Sequence, residues 1–239
     1  RKDKKVALLY SYAPARCNGS ENFPQLITAV GAMGGHFGKS GHCCGFSYHT
    51  LSFNGGPPLT KVGGTGLPAI KNPINVPLNG PNAWKYILEG KYNYTGNGNY
   101  GVGQYEPGET RNVDIRLIYY EGAANLQTAM NVMGGIEAHR KVDFVVTNAH
   151  FLTTQAKYSD IVLPANTRWE RIGDVERHIN REIILICNQV TEPLYEAKDD
   201  TWIASELAKR LGIDPKEIFP IDAKQVFFNK IAGSTVVLE

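Results

Sequence analysis

The chain has 239 residues, with 25 Lys and Arg against 23 Asp and Glu and a formal net charge of +2 at pH 7. That length suits one large domain or two small ones and can bury a real core, and the near balance of charge argues against a general nucleic-acid binder. With 42% hydrophobic and 20% charged residues the chain is neither disordered nor fibrous, and no apolar run approaches the roughly 20 residues of a membrane span.

Residues 5–10 read as a short buried strand. A helix follows from Glu21 to about Met33, with Phe23, Leu26, Ile27 and Val30 on one side; Asn18, Ser20 or Asn22 offers a cap and Gly34-Gly35 a stop. From Gly38 to Arg111 the texture changes to Gly, Pro and Asn, as in Asn54-Gly55-Gly56-Pro57-Pro58 and Asn97-Gly98-Asn99. This reads as a long irregular insertion with one helix, Asn82 to Leu88, anchored by Trp84, Ile87 and Leu88. Loops this long inside a compact domain tend to be functional covers or linkers.

From Val113 the pattern becomes regular. Asp114 to Tyr120 is a strand, Asn125 to His139 a helix weakened at Gly134-Gly135, and Val142 to Thr147 a second strand. Thr153 to Ser159 is a short helix, and Ile161-Val162-Leu163 a third strand stopped by Pro164. Strand–helix–strand–helix–strand with short links implies parallel pairing. Glu182 to Val190 is another strand, Asp199 to Leu211 a helix stopped by Gly212, and Asp222 to Ile231 a last amphipathic helix. The fold class is therefore α/β, a mainly parallel sheet flanked by helices in the manner of dinucleotide-binding domains, with a long Gly/Asn/Pro-rich insertion. Residues 1–41 form a strand–helix segment of the core, 42–112 the insertion, and 113–239 the α/β domain.

Several motifs fail their context tests. Gly34 to Ser40 resembles a phosphate loop, but Met33 stands where the pattern needs Gly, and the stretch follows a helix. Gly96, Gly98 and Gly101 satisfy G-x-G-x-x-G by spacing, yet no strand precedes them and no helix follows. His36, His42, Cys43, Cys44 and His49 lack the spacing of a zinc site. Cys17, Cys43, Cys44 and Cys187 make no disulfide framework, and no Ser/His/Asp or Cys/His arrangement is anchored.

The strand ends are more informative, because ligands of open parallel sheets lie beyond the carboxyl ends of the strands. Those ends are Glu121 to Asn125, Thr147 to His150, and Pro164 to Thr167. Gly and Ala there allow close approach to the backbone, and Thr, Asn and His offer hydrogen bonds suited to a base or pyrophosphate. Turn and cap chemistry uses the same residues.

Three stretches resemble the dimethyl sulfoxide reductase family of molybdopterin oxidoreductases. The first runs from Ser11-Tyr12-Ala13-Pro14-Ala15-Arg16 through Glu21, a helix, and Gly34 to Gly41, where the family writes G-x-x-P-Q-R…N-G-E and L-T-G-N-I-G-K-P-G-G. The second runs from Val145-Val146-Thr147-Asn148 through Ala156 to Ala165 and Glu170, and resembles V-V-x-D…T-A-x-Y-A-D-I-V-L-P-A…E with Asn148 where the family often has Asp. The third, from Glu192-Pro193 through Glu196 to Trp202 and Leu207 to Gly212, is similar to P-x-G-E-A-K-x-D-W…L-A-x-R-L-G.

The resemblance implies the middle of a larger catalytic subunit that transfers oxygen atoms or electrons in anaerobic respiration. It implies molybdenum on molybdopterin guanine dinucleotide, and a 4Fe-4S cluster whose ligands lie outside this chain. It implies an iron–sulfur electron-transfer subunit, a membrane anchor subunit, a small-molecule substrate, and a place on the outer face of a bacterial cytoplasmic membrane or in the periplasm. Carried over by motif, Gly122, Asn125, Thr147, Asn148, Arg171 and Asp200 are the cofactor-binding positions; no catalytic residue and no metal ligand falls in this chain. Nitrate, formate, thiosulfate or polysulfide branches of the family, or a free-standing nucleotide-binding module, stay open at this point.

Overall fold

A computed structural model describes residues 3–10, 20, 22–47, 59–71, 73, 78, 82–94, 109–122, 124–177 and 183–236. The expectations for Ser11 to Arg16, Cys17, Asn18, Glu21, His49, Asn54 to Pro58, Ala123, Glu182 and the Gly96–Gly101 pattern lie outside them. The chain forms two compact units, one of residues 1–66, 172–188 and 223–239, the other of 67–171 and 189–222.

In the first unit, β1 (Ala7–Tyr10) and β2 (Cys43–Ser47) pair in parallel across α1 (Asn22–Met33). Strand β2 lies inside the stretch expected to be irregular, a correction: Gly45 and the run of mixed polarity around it hide a strand that pairs with β1 and packs under α1. Helix α1 also departs from expectation. Phe23, Leu26 and Val30 are exposed, and the residue it buries is Gly31, where an added Cβ would lie 2.4 Å from Cys44 Sγ. The helix therefore meets the strand through its smallest residue, not its apolar stripe. The same unit contains β3 (Thr60–Lys61), with β9 (Asp174–Arg177), β10 (Ile184–Cys187), α8 (Ala223–Ala232) and β11 (Thr235–Val236) from further along the chain. β9 pairs antiparallel with β10, and β3 with β11.

The second unit opens with α2 (Ala83–Glu89), closed at its carboxyl end by Gly90 in the left-handed region and by Lys141, whose Nζ donates to the Ile87 and Leu88 carbonyls at 2.8 and 2.7 Å. The antiparallel pair β4 (Lys91–Tyr94) and β5 (Glu109–Asn112) follows. The centre is the parallel sheet expected from the sequence, β6 (Leu117–Glu121), β7 (Phe144–Ala149) and β8 (Ile161–Pro164), in the order β6-β7-β8.

The crossover from β6 to β7 is two helices, α3 (Asn125–Thr128) and α4 (Val132–Lys141), where the sequence suggested one. The break comes at Asn131, not at Gly134-Gly135. Asn131 adopts φ 57°, and its side chain accepts from the Gly134 N–H, capping α4. Gly134 and Gly135 stay helical, and a Cβ at Gly135 would lie 2.6 Å from a Leu126 methyl and 3.2 Å from the Trp84 ring, so the close packing there requires glycine. Helix α5 (Thr154–Lys157) carries β7 to β8, and α6 (Asp200–Arg210) and α7 (Pro215–Ile218) complete the unit. The core is Trp84, Ile87, Tyr120, Leu126, Ala138, Val142 and Val145. Leu126 alone, fully buried, contributes about 2 kcal/mol. The architecture is mixed α/β with several small sheets, one of them three-stranded and parallel.

A candidate nucleotide-binding edge

Strand β7 is the middle strand, so its carboxyl end is flanked by both neighbours and its side chains are enclosed. Thr147 and Asn148, adjacent at that end, have no exposed surface. Successive side chains on a strand point to opposite faces, and these two find different partners. The Thr147 hydroxyl lies 2.6 Å from that of Ser159. Asn148 faces the other way, into a polar chain. Its Oδ1 accepts from the Tyr119 hydroxyl at 3.1 Å, and its Nδ2 donates to Asp200 Oδ1 at 2.9 Å. Asp200 Oδ2 in turn lies 3.7 Å from the Arg171 guanidinium.

Tyr119–Asn148–Asp200–Arg171 thus joins three of the six sequence-expected residues. Asp200 is there because of a division of labour at the start of α6. Asp199 caps the helix, its carboxylate accepting the Thr201 N–H at 2.8 Å. That leaves the Asp200 carboxylate for Asn148 and Arg171. The side chains of Asp200 and Arg171 keep 23% and 28% of their surface exposed, so both can still reach a ligand. One hydrogen bond and one ion pair do not exhaust the acceptor sites of a carboxylate.

Gly122 and Asn125 are nearby in register but outside this chain of bonds. Glu121 pairs with Asn148 across the sheet, and Gly122 follows it at φ 79°, a conformation that favours glycine. A Cβ there would meet nothing within 4 Å, so the turn is open. Asn125 begins α3 with its side chain exposed.

Three contributors lie outside the six expected site residues. Tyr119 sits opposite Val146 on β6 and reaches Asn148 diagonally; partial burial raises its phenol, while the Asn148 hydrogen bond works the other way. Glu170 organises the loops beyond β8. It accepts from the Thr167 N–H at 2.7 Å, the Thr167 hydroxyl at 2.8 Å and the Leu194 N–H at 2.9 Å. The Thr167 N–H and hydroxyl, then the Leu194 N–H, hold its carboxyl below the usual carboxylate range. Asn166, the third, is 4% exposed, and its Oδ1 has no hydrogen-bond partner. The Glu170 match in the family pattern was a signal; Tyr119 and Asn166 gave none beyond their places on or after strands.

The Gly34–Ser40 stretch follows helix α1 and belongs to the first unit. There His36 stacks on His42, ring centroids 5.2 Å apart, with their Nδ1 atoms at 3.0 Å. Burial, then the charge of His42, lowers the His36 pKa. Among the described residues no group of three His, Cys, Asp or Glu side chains is arranged to hold a metal ion.

The class these observations define is mixed α/β, with a three-stranded parallel sheet and a partly open polar cluster at its carboxyl edge, where ligands of open parallel sheets lie. The comparisons with known proteins give the class a family. The molybdopterin oxidoreductase profile matches residues 22–210, and the chain belongs to that family. It is 27% identical over 208 residues to biotin sulfoxide reductase of Cereibacter sphaeroides, covering 86% of this chain and 26% of that protein. It is 28% identical over 218 residues to trimethylamine-N-oxide reductase of Haemophilus influenzae, covering 88% and 26%. With the dimethyl sulfoxide/trimethylamine N-oxide reductase of Cereibacter sphaeroides it shares 26% over 232 residues, covering 87% and 25%. The chain therefore spans about a quarter of the length of the curated relatives it matches. Among solved structures, acetylene hydratase from Pelobacter acetylenicus aligns over 53% of this chain and 19% of its own, with a TM-score of 0.40 and 21% identity, too slight a likeness to argue from. No helix among the described residues is long and apolar enough to cross a membrane.

Proposed function

We propose that this chain is a segment of the catalytic subunit of a molybdenum reductase of the dimethyl sulfoxide and trimethylamine N-oxide kind. Its part is to hold the guanine dinucleotide end of the molybdopterin cofactor. The observation that carries this reading is the Tyr119–Asn148–Asp200–Arg171 chain at the carboxyl end of the central strand. The donor set suits the group: a carboxylate with spare lone pairs for N–H donors of a base, a guanidinium for phosphate, and an open glycine turn at Gly122 for close approach.

When bound, molybdenum on its pterin supplies the oxygen-atom or electron transfer. The chain's own residues bind and orient. Asp200 accepts from the base, Arg171 meets a phosphate oxygen while staying anchored to Asp200, and Gly122 and Asn125 offer backbone access and an exposed amide. Thr147 serves by seating Asn148, since its hydroxyl is closed on Ser159.

The reading extends, for the whole protein, to a small oxidised substrate, an electron-transfer subunit and a membrane anchor on the outer face of a bacterial cytoplasmic membrane. The 4Fe-4S cluster that the resemblance implied finds no support in the comparisons. Full-length Asn148→Ala and Arg171→Ala variants test the grip. The expected result is less molybdenum, and less GMP released on acid hydrolysis, per polypeptide than in the wild type. Unchanged molybdenum and GMP in both variants would refute the assignment.

A further inference from the structure

The loop between α1 and β2 is closed at its neck by two histidines. Its backbone is fixed at both ends. The His36 N–H donates to the Gly31 carbonyl at 2.9 Å, at the end of α1. The His42 N–H donates to the Lys39 carbonyl at 3.1 Å, and the next residue, Cys43, opens β2 with its N–H on the Val6 carbonyl at 3.0 Å. His36 is only 6% exposed, and its ring lies on Gly34, where an added Cβ would sit 2.6 Å from the ring Cδ2 and 2.7 Å from Nε2. Seated there, the ring brings its Nδ1 to 3.0 Å from His42 Nδ1.

A nitrogen–nitrogen contact of this length is a hydrogen bond only when one ring donates an Nδ1–H and the other accepts with a lone pair. Either ring can be the donor. A neutral pair satisfies the condition, and so does a pair with one extra proton on Nε2 of the donor. The next proton goes to the accepting Nδ1. It sets two N–H groups against each other and makes two cations of stacked rings whose centroids are 5.2 Å apart. The surroundings oppose that second proton. Burial, then the positive charges of His42, the amino terminus and Lys39, lowers the His36 pKa, and no carboxylate is among the groups that act on it. Lys5, before β1, reaches the same loop: an added Cβ at Gly41 would lie 3.1 Å from its Nζ. Strand β2 brings only thiols, Cys43, raised by burial, and Cys44, whose Sγ lies 3.7 Å from the His36 carbonyl. Helix α1 carries no titratable side chain.

We infer that His36 and His42 form a one-proton clasp, which closes the loop between α1 and β2 at neutral pH and releases it in acid. The sign follows from counting protons. The closed pair holds at most one proton beyond neutral. The open loop binds two, one on each ring, below the free histidine value of about 6.5. The clasp is therefore complete above that value and is lost as the pH falls below it, by about tenfold in the opening equilibrium per pH unit for each proton of difference. The inference does not depend on the cofactor reading: the loop belongs to the first unit and the candidate edge to the second.

The test is hydrogen–deuterium exchange, read by mass spectrometry on the full-length protein at about pH 7.5 and about pH 5 and corrected for the intrinsic exchange rate at each. The proteins are the wild type and His42→Gln, which keeps a hydrogen-bonding side chain that does not titrate. Should His42→Gln not fold, His36→Gln gives the same contrast. In the wild type, protection of the peptide over 34–44 is expected to be about tenfold or more lower at the acid pH, with peptides from β7 and α4 unchanged. His42→Gln should lose most of that difference. A wild-type loop equally protected at both pH values overturns the inference. So does a loss as large in the variant as in the wild type, or one shared equally by β7 and α4, because acid then acts elsewhere than on the pair.

Discussion

The family pattern often places Asp where this chain has Asn148, so Asn148→Asp is the most instructive single change. In the wild type the Asn148 amide donates to Asp200 at 2.9 Å, and Asn148 has no exposed surface. Aspartate replaces that donor with an acceptor. A hydrogen bond to a charged group, about 1.5–3 kcal/mol, is lost. Two carboxylates with charge centres about 4 Å apart also repel by about 4 kcal/mol at an effective dielectric of about 20. Keeping one carboxyl protonated at neutral pH costs a similar amount, about 1.4 kcal/mol for each of roughly three pH units. The pair therefore retains a proton well above the ordinary carboxylate range. The sign follows from linkage. The folded state binds more protons than the unfolded state, so the variant loses stability, relative to the wild type, as the pH rises from about 4 towards 7. Urea unfolding at about pH 5 and pH 7.5 reads this as a destabilisation of about 4 kcal/mol at the higher pH and about half that or less at the lower. A loss that is the same at both pH values, or no loss, would refute the arrangement of Asn148 against Asp200.

Two further outcomes are expected from side chains away from the Asn148 contact. Tyr120 and His139 are both buried; the His139 Nδ1–H donates to the Gly135 carbonyl at 2.6 Å, so its Nε2 accepts from the Tyr120 hydroxyl at 3.1 Å. Tyr120→Phe leaves that nitrogen unpaired and lowers stability by about 1–3 kcal/mol in denaturant unfolding; an unchanged midpoint would mean His139 finds another partner. Glu170, with a carboxyl lowered by the Thr167 and Leu194 donors, adds stability that is complete above the ordinary carboxyl pKa and is lost as the pH falls through its own lower value. Glu170→Gln should therefore be less stable than the wild type at neutral pH and converge with it in acid, and parallel acid-unfolding curves for the two would contradict this.

The sequence displayed the parallel sheet because β6, β7 and β8 are apolar runs bounded by turn residues, and the link from β7 to β8 is short. It displayed Asn148, Asp200 and Arg171 only as separate positions. Their meeting depends on the register of β7 and on α6 starting so that Asp199, not Asp200, serves as the cap. That choice is tertiary. Either carboxylate could cap an isolated helix, and the position of Asn148 decides which one is free. The hidden elements share one cause. Strands β2, β4, β5 and β9 are polar or interrupted in sequence, with no apolar run to mark them as β6 to β8 are marked, and each is paired with a partner elsewhere in the chain. The break between α3 and α4 was misplaced for a different reason. Gly134-Gly135 has the weaker helix propensity, but Asn131 tolerates the left-handed backbone and caps the next turn.

Departures from the family pattern become physical statements once placed in the structure. The third matching stretch writes Gly between the Pro and Glu that correspond to Pro193 and Glu196, and here that position is Tyr195. It adopts φ 53° and is 99% exposed. The left-handed backbone explains why the family uses glycine there. A tyrosine held in the same conformation costs on the order of 1–2 kcal/mol and gains no packing in return. What keeps the turn in this shape is its anchorage, not its sequence: the Leu194 N–H is tied to Glu170, and the Ala197 N–H to the Leu194 carbonyl. The same Glu170 holds Thr167 next to Asn166 and precedes Arg171. One carboxylate thus fixes the loop before α6 and the loop after β8, the two segments that bring Asp200 and Arg171 together. Glu170 is therefore a structural requirement of this edge, the frame on which Asn148, Asp200 and Arg171 meet.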